Sequence, residues 1–299
     1  MLSAMVLAAG LGTRLKPLTE QRAKALVPVG DRPILSHVLD HLWAAGASRV
    51  VVNTHYRARE VEAYAVAQRR ELLLSHEPEL LGTAGGVSQA QDLLGSGDVL
   101  LWNADILAQV DVPALFAAHA QVARGLAPAR ATLLVQPLTK GRGSVGCSAR
   151  GTVVRLRRES VEEEAHGGEF LGIHVIGGSL RQTLPARGCL VGDVYIPALK
   201  AGATFGVVLH EGAFFDVGTL QGYASANRAW LAARSLSSWT GSSARIDPDV
   251  VLDGTVVGEG AVVRGAGNVA RSVIWPGAIA TAPITNAIVT PEGTVAVSS

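Results

Sequence analysis

The chain has 299 residues, 26 Lys+Arg against 25 Asp+Glu, a net charge of +1 and 48% hydrophobic residues. That length and apolar content suit one large domain or two ordinary ones with a sizeable core, and exclude a disordered chain. Balanced charge argues against a nucleic-acid footprint, no apolar run reaches the roughly 18 residues of a membrane span, and two cysteines make no disulfide framework, so a reducing cytoplasm is expected. The apolar start at residues 5–9 has no basic residue before it and runs into Gly10, Gly12 and Arg14, so it reads as a buried strand rather than a signal peptide.

After that strand, residues 36–45 place Leu35, Val38, Leu39 and Leu42 on one stripe and stop at Gly46, which predicts a helix. Residues 49–54 are a valine-rich strand, 59–69 a helix with Val61, Tyr64 and Ala65 inward, 72–75 a strand, 87–94 a helix and 99–102 a strand. This alternation predicts an α/β fold, a Rossmann-like, mostly parallel sheet with helices on both faces and ligands at the carboxyl ends of its strands. Strands at 131–136, 152–156, 170–176 and 205–209 and a helix at 221–233 complete a first domain over 1–234, followed by a linker at 235–243 (SLSSWTGSS). In 244–299, Val251, Val257, Val263 and Val269 recur every six residues, with Thr255, Ala261, Gly267 and Val273 in the small-residue place. That period predicts a short left-handed parallel β-helix, loosening after Trp275. Its open ends need covering, which leaves a homo-oligomer as an expectation of unspecified order.

The first strand runs into Leu7, Ala8, Ala9, Gly10, Leu11, Gly12, Thr13 and Arg14. Small residues let backbone N–H groups approach a phosphate closely. Arg14 adds a rigid fork for phosphate oxygens and Lys24 a mobile charge. The loop is neither a Walker A motif, which needs Gly-Lys-Ser/Thr, nor a Rossmann fingerprint, because Arg14 and Lys16 stand where a close-packed helix should begin.

LAAGLGTRLKPLTEQRAKALVPV resembles the signature of the sugar-1-phosphate nucleotidyltransferases, with residues 10–19 matching throughout and Ala23 replacing the usual proline before Lys24. The resemblance implies that this loop holds a nucleoside triphosphate, with Arg14, Lys24 and Asp105 the catalytic group. Residues 77–86 (EPELLGTAGG) are similar to the family's nucleobase loop, in the form most like mannose-1-phosphate guanylyltransferases. A carboxylate can accept both adjacent donors of guanine, whereas uracil or thymine offers one imide donor. Glu77, Gly82 and Thr83 are therefore expected at the nucleotide, while Glu79 reads equally well as a solvated loop residue.

Asp105 follows a strand end, a suitable place for a carboxylate that holds Mg²⁺. Residues 214–219 (FFDVGT) resemble the family's second metal segment, making Asp216 the other expected ligand. On the sugar-phosphate side the resemblance implies Asn103, Gly146, Glu159 and Gly172. Ser160 stands where the family has lysine; Arg157 or Arg158 could substitute or be solvated strand charges, and Asp193 could cap its helix. His37 and His41 lie four apart with no third partner for zinc, and neither cysteine is marked as a nucleophile.

The resemblance implies in-line attack by a sugar 1-phosphate on an NTP with release of pyrophosphate, GTP and mannose 1-phosphate being the first expectation. Uridylyl or thymidylyl transfer, heptose-1-phosphate guanylyl transfer, and a catalytically silent regulatory subunit binding nucleotide sugars stay open. A β-helix acyltransferase is excluded by the short repeat and the lack of a suitable histidine.

Overall fold

The computed structural model describes residues 2–123 and 130–297, so the last two residues of the expected repeat domain lie outside the described residues. The chain forms two compact units that do not follow a single cut in sequence: Met1–Gly10 with Leu39–Phe214, and Leu11–Val38 with Phe215–Ser299. Among the described residues, no helix is long and apolar enough to cross a membrane.

The first unit is built on a ten-stranded sheet. Its centre is parallel, as expected: Leu2–Leu7 lies between Ala47–Thr54 and Val99–Asn103, and Leu73–His76 lies outside Ala47–Thr54. Ala4, Met5 and Val6, Val50 to Val52, and Val99 to Trp102 are buried on both faces, which explains why these strands read as continuous apolar runs rather than alternating ones. His166–Ile176 then joins Val99–Asn103 antiparallel and also pairs with Ala131–Leu138 and Val145–Cys147. The expected helices are present with shifted ends: Ile34–Ala44, Ala58–Val66, and the pair Gly82–Gln89 and Gln91–Leu94 in place of residues 87–94.

The earlier start at Gly82 is informative, because three glycines cost a helix about 1 kcal/mol each relative to alanine. A Cβ at Gly85 would lie 2.5 Å from the Ala186 carbonyl, and one at Gly86 2.5 Å from Glu77 Oε1. The helix is glycine-rich because other backbone and a buried carboxylate press against it.

The second unit contains the signature segment, the helix Leu220–Ala232 and the tail. Helix and signature are joined by the Asn227 side chain, which accepts the Gly30 N–H at 2.9 Å. The tail is a stack of short parallel rungs. Trp239 pairs with Val256, Val256 with Val273 and Val273 with Ile288, while Val262 lies between Arg245 and Ile279. The step is 17 residues over most of this ladder, one short of three six-residue repeats. Val257, Val263 and Val269 are buried as the repeat predicts, but Val251 is 59% exposed. The stretch 235–243, expected to be a linker, already supplies the first rung through Trp239–Thr240. Trp275, fully within the packing, donates its indole N–H to the Tyr223 hydroxyl at 3.0 Å and carries the Arg22 guanidinium 5.3 Å above its ring. Gln21 Nε2 donates to Thr290 Oγ1 at 2.8 Å.

Candidate active site

In the first unit the candidate residues gather at the carboxyl ends of the parallel strands. Leu2–Leu7 ends in Ala8, Ala9 and Gly10. The Ala8 N–H donates to Asn53 Oδ1 at 2.7 Å, and Gly10 is exposed with nothing within 4 Å of where a Cβ would stand. The next strand end, Asn103, leads into the turn carrying Asp105. Two bonds fix that turn, Ala104 N–H to the Leu7 carbonyl at 3.1 Å and Trp102 Nε1 to the Ile106 carbonyl at 2.8 Å; beyond the short strand that follows, His41 Nε2 meets the Val110 carbonyl at 2.7 Å, with the His41 and Trp102 rings 5.4 Å apart. Gly172 has φ +71° and faces the Asn103 side chain so closely that a Cβ would collide with it. Antiparallel pairing of Ile173 with Trp102 brings these two sugar-side candidates together.

The nucleobase loop differs from the sequence expectation. Glu77 is only 1% exposed and both its oxygens are taken within the protein: Oε1 accepts from Asn53 Nδ2 at 2.7 Å and Oε2 from the Leu81 N–H at 3.0 Å. The carboxylate expected to meet guanine is thus turned inward. Thr83 Oγ1 accepts the Leu190 N–H at 2.8 Å. Gly82, at φ +75°, abuts the Gly188 carbonyl, and backbone bonds from Ala84 N–H to Gly188 and from Gly188 N–H to Leu81 zip the two segments. Glu79 is exposed and pairs with Arg187 at 2.5 Å.

The remaining sugar-side candidates have structural partners. A Cβ at Gly146 would collide with the Glu164 carboxylate, which Arg155 Nε holds at 2.6 Å. The family's glycine therefore stands here over an ion pair. Glu159 is exposed on an edge strand and pairs with Lys200 at 2.5 Å. Arg157 Nη2 lies 3.5 Å from Cys189 Sγ, and Asp193 Oδ2 accepts the Cys189 N–H at 2.7 Å. Cys189 caps the helix Leu190–Tyr195. Burial raises its thiol pKa, but backbone donors from Gly192 and Val191 and the Arg157 guanidinium outweigh it and leave the pKa below the ordinary value.

In the second unit the signature folds on itself. Gly12 has φ +66° and begins the short helix Thr13–Leu15; Thr19 Oγ1 donates back to the Gly12 carbonyl at 2.9 Å. A Cβ at Gly12 would lie 2.6 Å from Thr19 Cγ2 and 3.3 Å from Lys24 Cβ, so glycine lets Thr19 and Lys24 pack against the turn. Ala23 has φ −54°, within the range proline imposes, so the departure from the family pattern keeps the local backbone. Arg14 Nη1 donates to Asp216 Oδ2 at 3.0 Å, and Asp216 Oδ1 accepts the Gly218 N–H at 2.9 Å.

Among the described residues, no group of three or more His, Cys, Asp or Glu forms a protein-only metal cage. Mg²⁺ keeps waters and takes phosphate oxygens, so one or two carboxylates fit it. Asp216 already faces a cation, the Arg14 guanidinium, which suits it to a positive partner. His37 and His41 instead hold the Val29 and Val110 carbonyls.

A parallel-centred sheet that delivers a small-residue loop, a fixed aspartate turn and an asparagine–glycine pair to one edge defines an α/β protein with a candidate ligand site at the carboxyl ends of its strands. The chain belongs to the nucleotidyl transferase family, which it matches over residues 3–157. It is 45% identical over 108 residues to N-acetylmuramate alpha-1-phosphate uridylyltransferase of Caulobacter vibrioides, covering 34% of this chain and 45% of that protein. It is 27% identical over 296 residues to mannose-1-phosphate guanylyltransferase of Mycobacterium tuberculosis, covering 92% of this chain and 80% of that protein. The chain matches about half the length of the first curated relatives. The crystal structure of HddC from Yersinia pseudotuberculosis shares the fold, with a TM-score of 0.63, 18% identity, and coverage of 77% of this chain and 100% of that one.

Proposed function

We propose that the chain transfers a nucleotidyl group from an NTP to a sugar 1-phosphate. The observation that carries this reading is the loop at the end of Leu2–Leu7, where Gly10 opens onto free space beside an amide fixed by Asn53. A phosphate oxygen of the sugar 1-phosphate attacks the α-phosphorus, the bond to the bridging oxygen breaks, and pyrophosphate leaves with that electron pair. The attacking phosphate has a second pKa of about 6, so it is anionic near neutral pH and needs no general base. The protein's task is to gather two anions, through loop amides, Arg14 and Lys24. Asp105 and Asp216 are the proposed carboxylates for a divalent ion, which when bound neutralises phosphate charge. Asn103 and Gly172 are proposed to contact the sugar. The tail is read as a left-handed β-helix, on the support of its parallel rungs.

GTP with mannose 1-phosphate is the first reading, supported by the EPELLGTAGG loop and by the long alignment with the Mycobacterium tuberculosis guanylyltransferase. One observation favours uridylyl transfer as a second: Glu77, the residue suited to guanine, has both oxygens engaged inside the protein. A pyrophosphate-release screen of GTP, UTP and dTTP against mannose, glucose and N-acetylmuramate 1-phosphates separates the two. Arg14→Ala is expected to lower turnover about a hundredfold with the melting temperature nearly unchanged, because an exposed ion pair contributes little stability. No pyrophosphate from any pair, or a fully active Arg14→Ala enzyme, overturns the assignment.

A further inference from the structure

Asn53 and Glu77 are 3% and 1% exposed, an unusual burial for an amide and a carboxylate. Asn53 lies at the carboxyl end of Ala47–Thr54, in register with Leu7 on one side and Ser75 on the other. From there its side chain reaches both ways. Its oxygen accepts the Ala8 N–H at 2.7 Å and its nitrogen donates to Glu77 Oε1 at 2.7 Å. Glu77 Oε2 then accepts the N–H of Leu81, which begins the helix Gly82–Gln89, at 3.0 Å. The main chain of Glu77 is fixed too, by its N–H to the Thr54 carbonyl at 2.8 Å and by His55 Nδ1 on its own carbonyl at 2.9 Å. Gly86 leaves space for the pair; a Cβ there would stand 2.5 Å from Glu77 Oε1 and 2.8 Å from Asn53 Nδ2.

We propose that Asn53 and Glu77 are positioning residues that set the phosphate loop and the nucleobase loop as one unit, through the hydrogen-bond chain Ala8–Asn53–Glu77–Leu81. Glu77 acts through the backbone it holds rather than by touching the base. This deepens, and rests on, the proposed nucleotidyl transfer.

The chain has a donor–acceptor parity that makes it testable. Two backbone donors, at Ala8 and Leu81, must be met by two side chains that also meet each other. Amide plus carboxylate satisfies this in one arrangement. In Glu77→Gln, one donor must face another wherever the amides are flipped, and in Asn53→Asp two carboxylates face each other. The double variant Asn53→Asp/Glu77→Gln restores every bond. Its carboxylate at position 53 accepts from Ala8 and from the amide at position 77, whose oxygen accepts from Leu81. It also keeps one carboxylate and one amide, so total charge is unchanged.

The experiment measures melting temperature, KM for the NTP, kcat, and the GTP-to-UTP ratio of kcat/KM in wild type, both single variants and the double variant. Each single variant is expected to raise the KM for the NTP about tenfold and the double variant to return it to within threefold of wild type, with the GTP-to-UTP ratio preserved throughout. If Glu77 reads the base directly, Glu77→Gln shifts that ratio and the double variant keeps the shift, which overturns the proposal. Single variants that melt earlier but keep the wild-type KM also overturn it, because the pair would then serve stability alone. Should a single variant fail to fold, the double variant decides: a wild-type melting temperature with an uncorrected KM counts against the relay. A wild type that releases no pyrophosphate sinks the enzymatic reading instead. The relay is then judged by the affinity of the same variants for a fluorescent GTP analogue, with the same loss and recovery expected.

Discussion

Glu77 and Glu164 are both shut away from solvent, at 1% and 9% exposure, yet the two ends of the sheet hold them in opposite ways. Glu77 is held by neutral donors, an asparagine amide and a backbone N–H. Glu164 is held by the Arg155 guanidinium at 2.6 Å and by the Gly141 N–H, and the Arg155 bond keeps its carboxyl below the usual carboxylate range. Arg155 also donates to the Gly143, Arg157, Arg142 and Val145 carbonyls, so its ion pair ties down one hairpin. Neutral hydrogen bonds fix direction and can be reversed by exchanging isosteric partners. The ion pair fixes a charge and cannot be reversed in that way. The first device sits where the proposed ligand is itself anionic, and the second where a loop must stay closed.

The sharpest way to break this contrast is to crowd the neutral pair. Gly86→Ala is expected to cost about 3 kcal/mol, through a Cβ forced onto Glu77 Oε1, and to raise the KM for the NTP in whatever protein still folds. Gly10→Ala, with open space around it, is the control for stability and should melt with wild type. Arg155→Met should cost about 2 kcal/mol by stripping Glu164 of its charged partner, with the KM for the NTP unchanged. An altered KM in Arg155→Met would show that the hairpin also serves the nucleotide, and would dissolve the distinction.

A third carboxylate extends the comparison to the surface. Glu259 accepts from Ser243 Oγ at 2.6 Å, from the backbone N–H groups of Ser242 and Ser243 at 3.0 Å, and from Ser242 Oγ at 3.2 Å. These donors, Ser243's hydroxyl first, hold its carboxyl down at about 2. A folded-state pKa below the unfolded one gives stability that is complete above the ordinary carboxyl value and lost as pH falls toward the folded one. The wild-type melting temperature should therefore fall more steeply between pH 4.5 and pH 2 than that of Glu259→Gln. Parallel curves would mean that the clasp adds nothing.

Much of the fold was legible because its cause is local. The runs at Met5, Val50 and Leu100 are apolar on both faces, and only a covered parallel strand asks for that. The signature could be read for the same reason: Gly12, Thr19 and Lys24 meet within one short stretch of chain. The inward-facing Glu77 was missed because its partner is 24 residues away, on a neighbouring strand. A signal was present in the polar Asn53 closing an otherwise apolar valine strand. Gly146 resembled a ligand-contact glycine, and the side chain that fills its space comes from Glu164, on no shared motif. The tail's period was visible, but a rung of 17 residues slips against a count of six, and Val251 falls outside.

The tail is also no appendage. Leu11–Val38 belongs to the same compact unit as the rungs, and Gln21 and Arg22 rest on Thr290 and Trp275. Cutting the chain at residue 234 would not release an intact core; it would saw off the bracket on which Arg14's own segment is mounted.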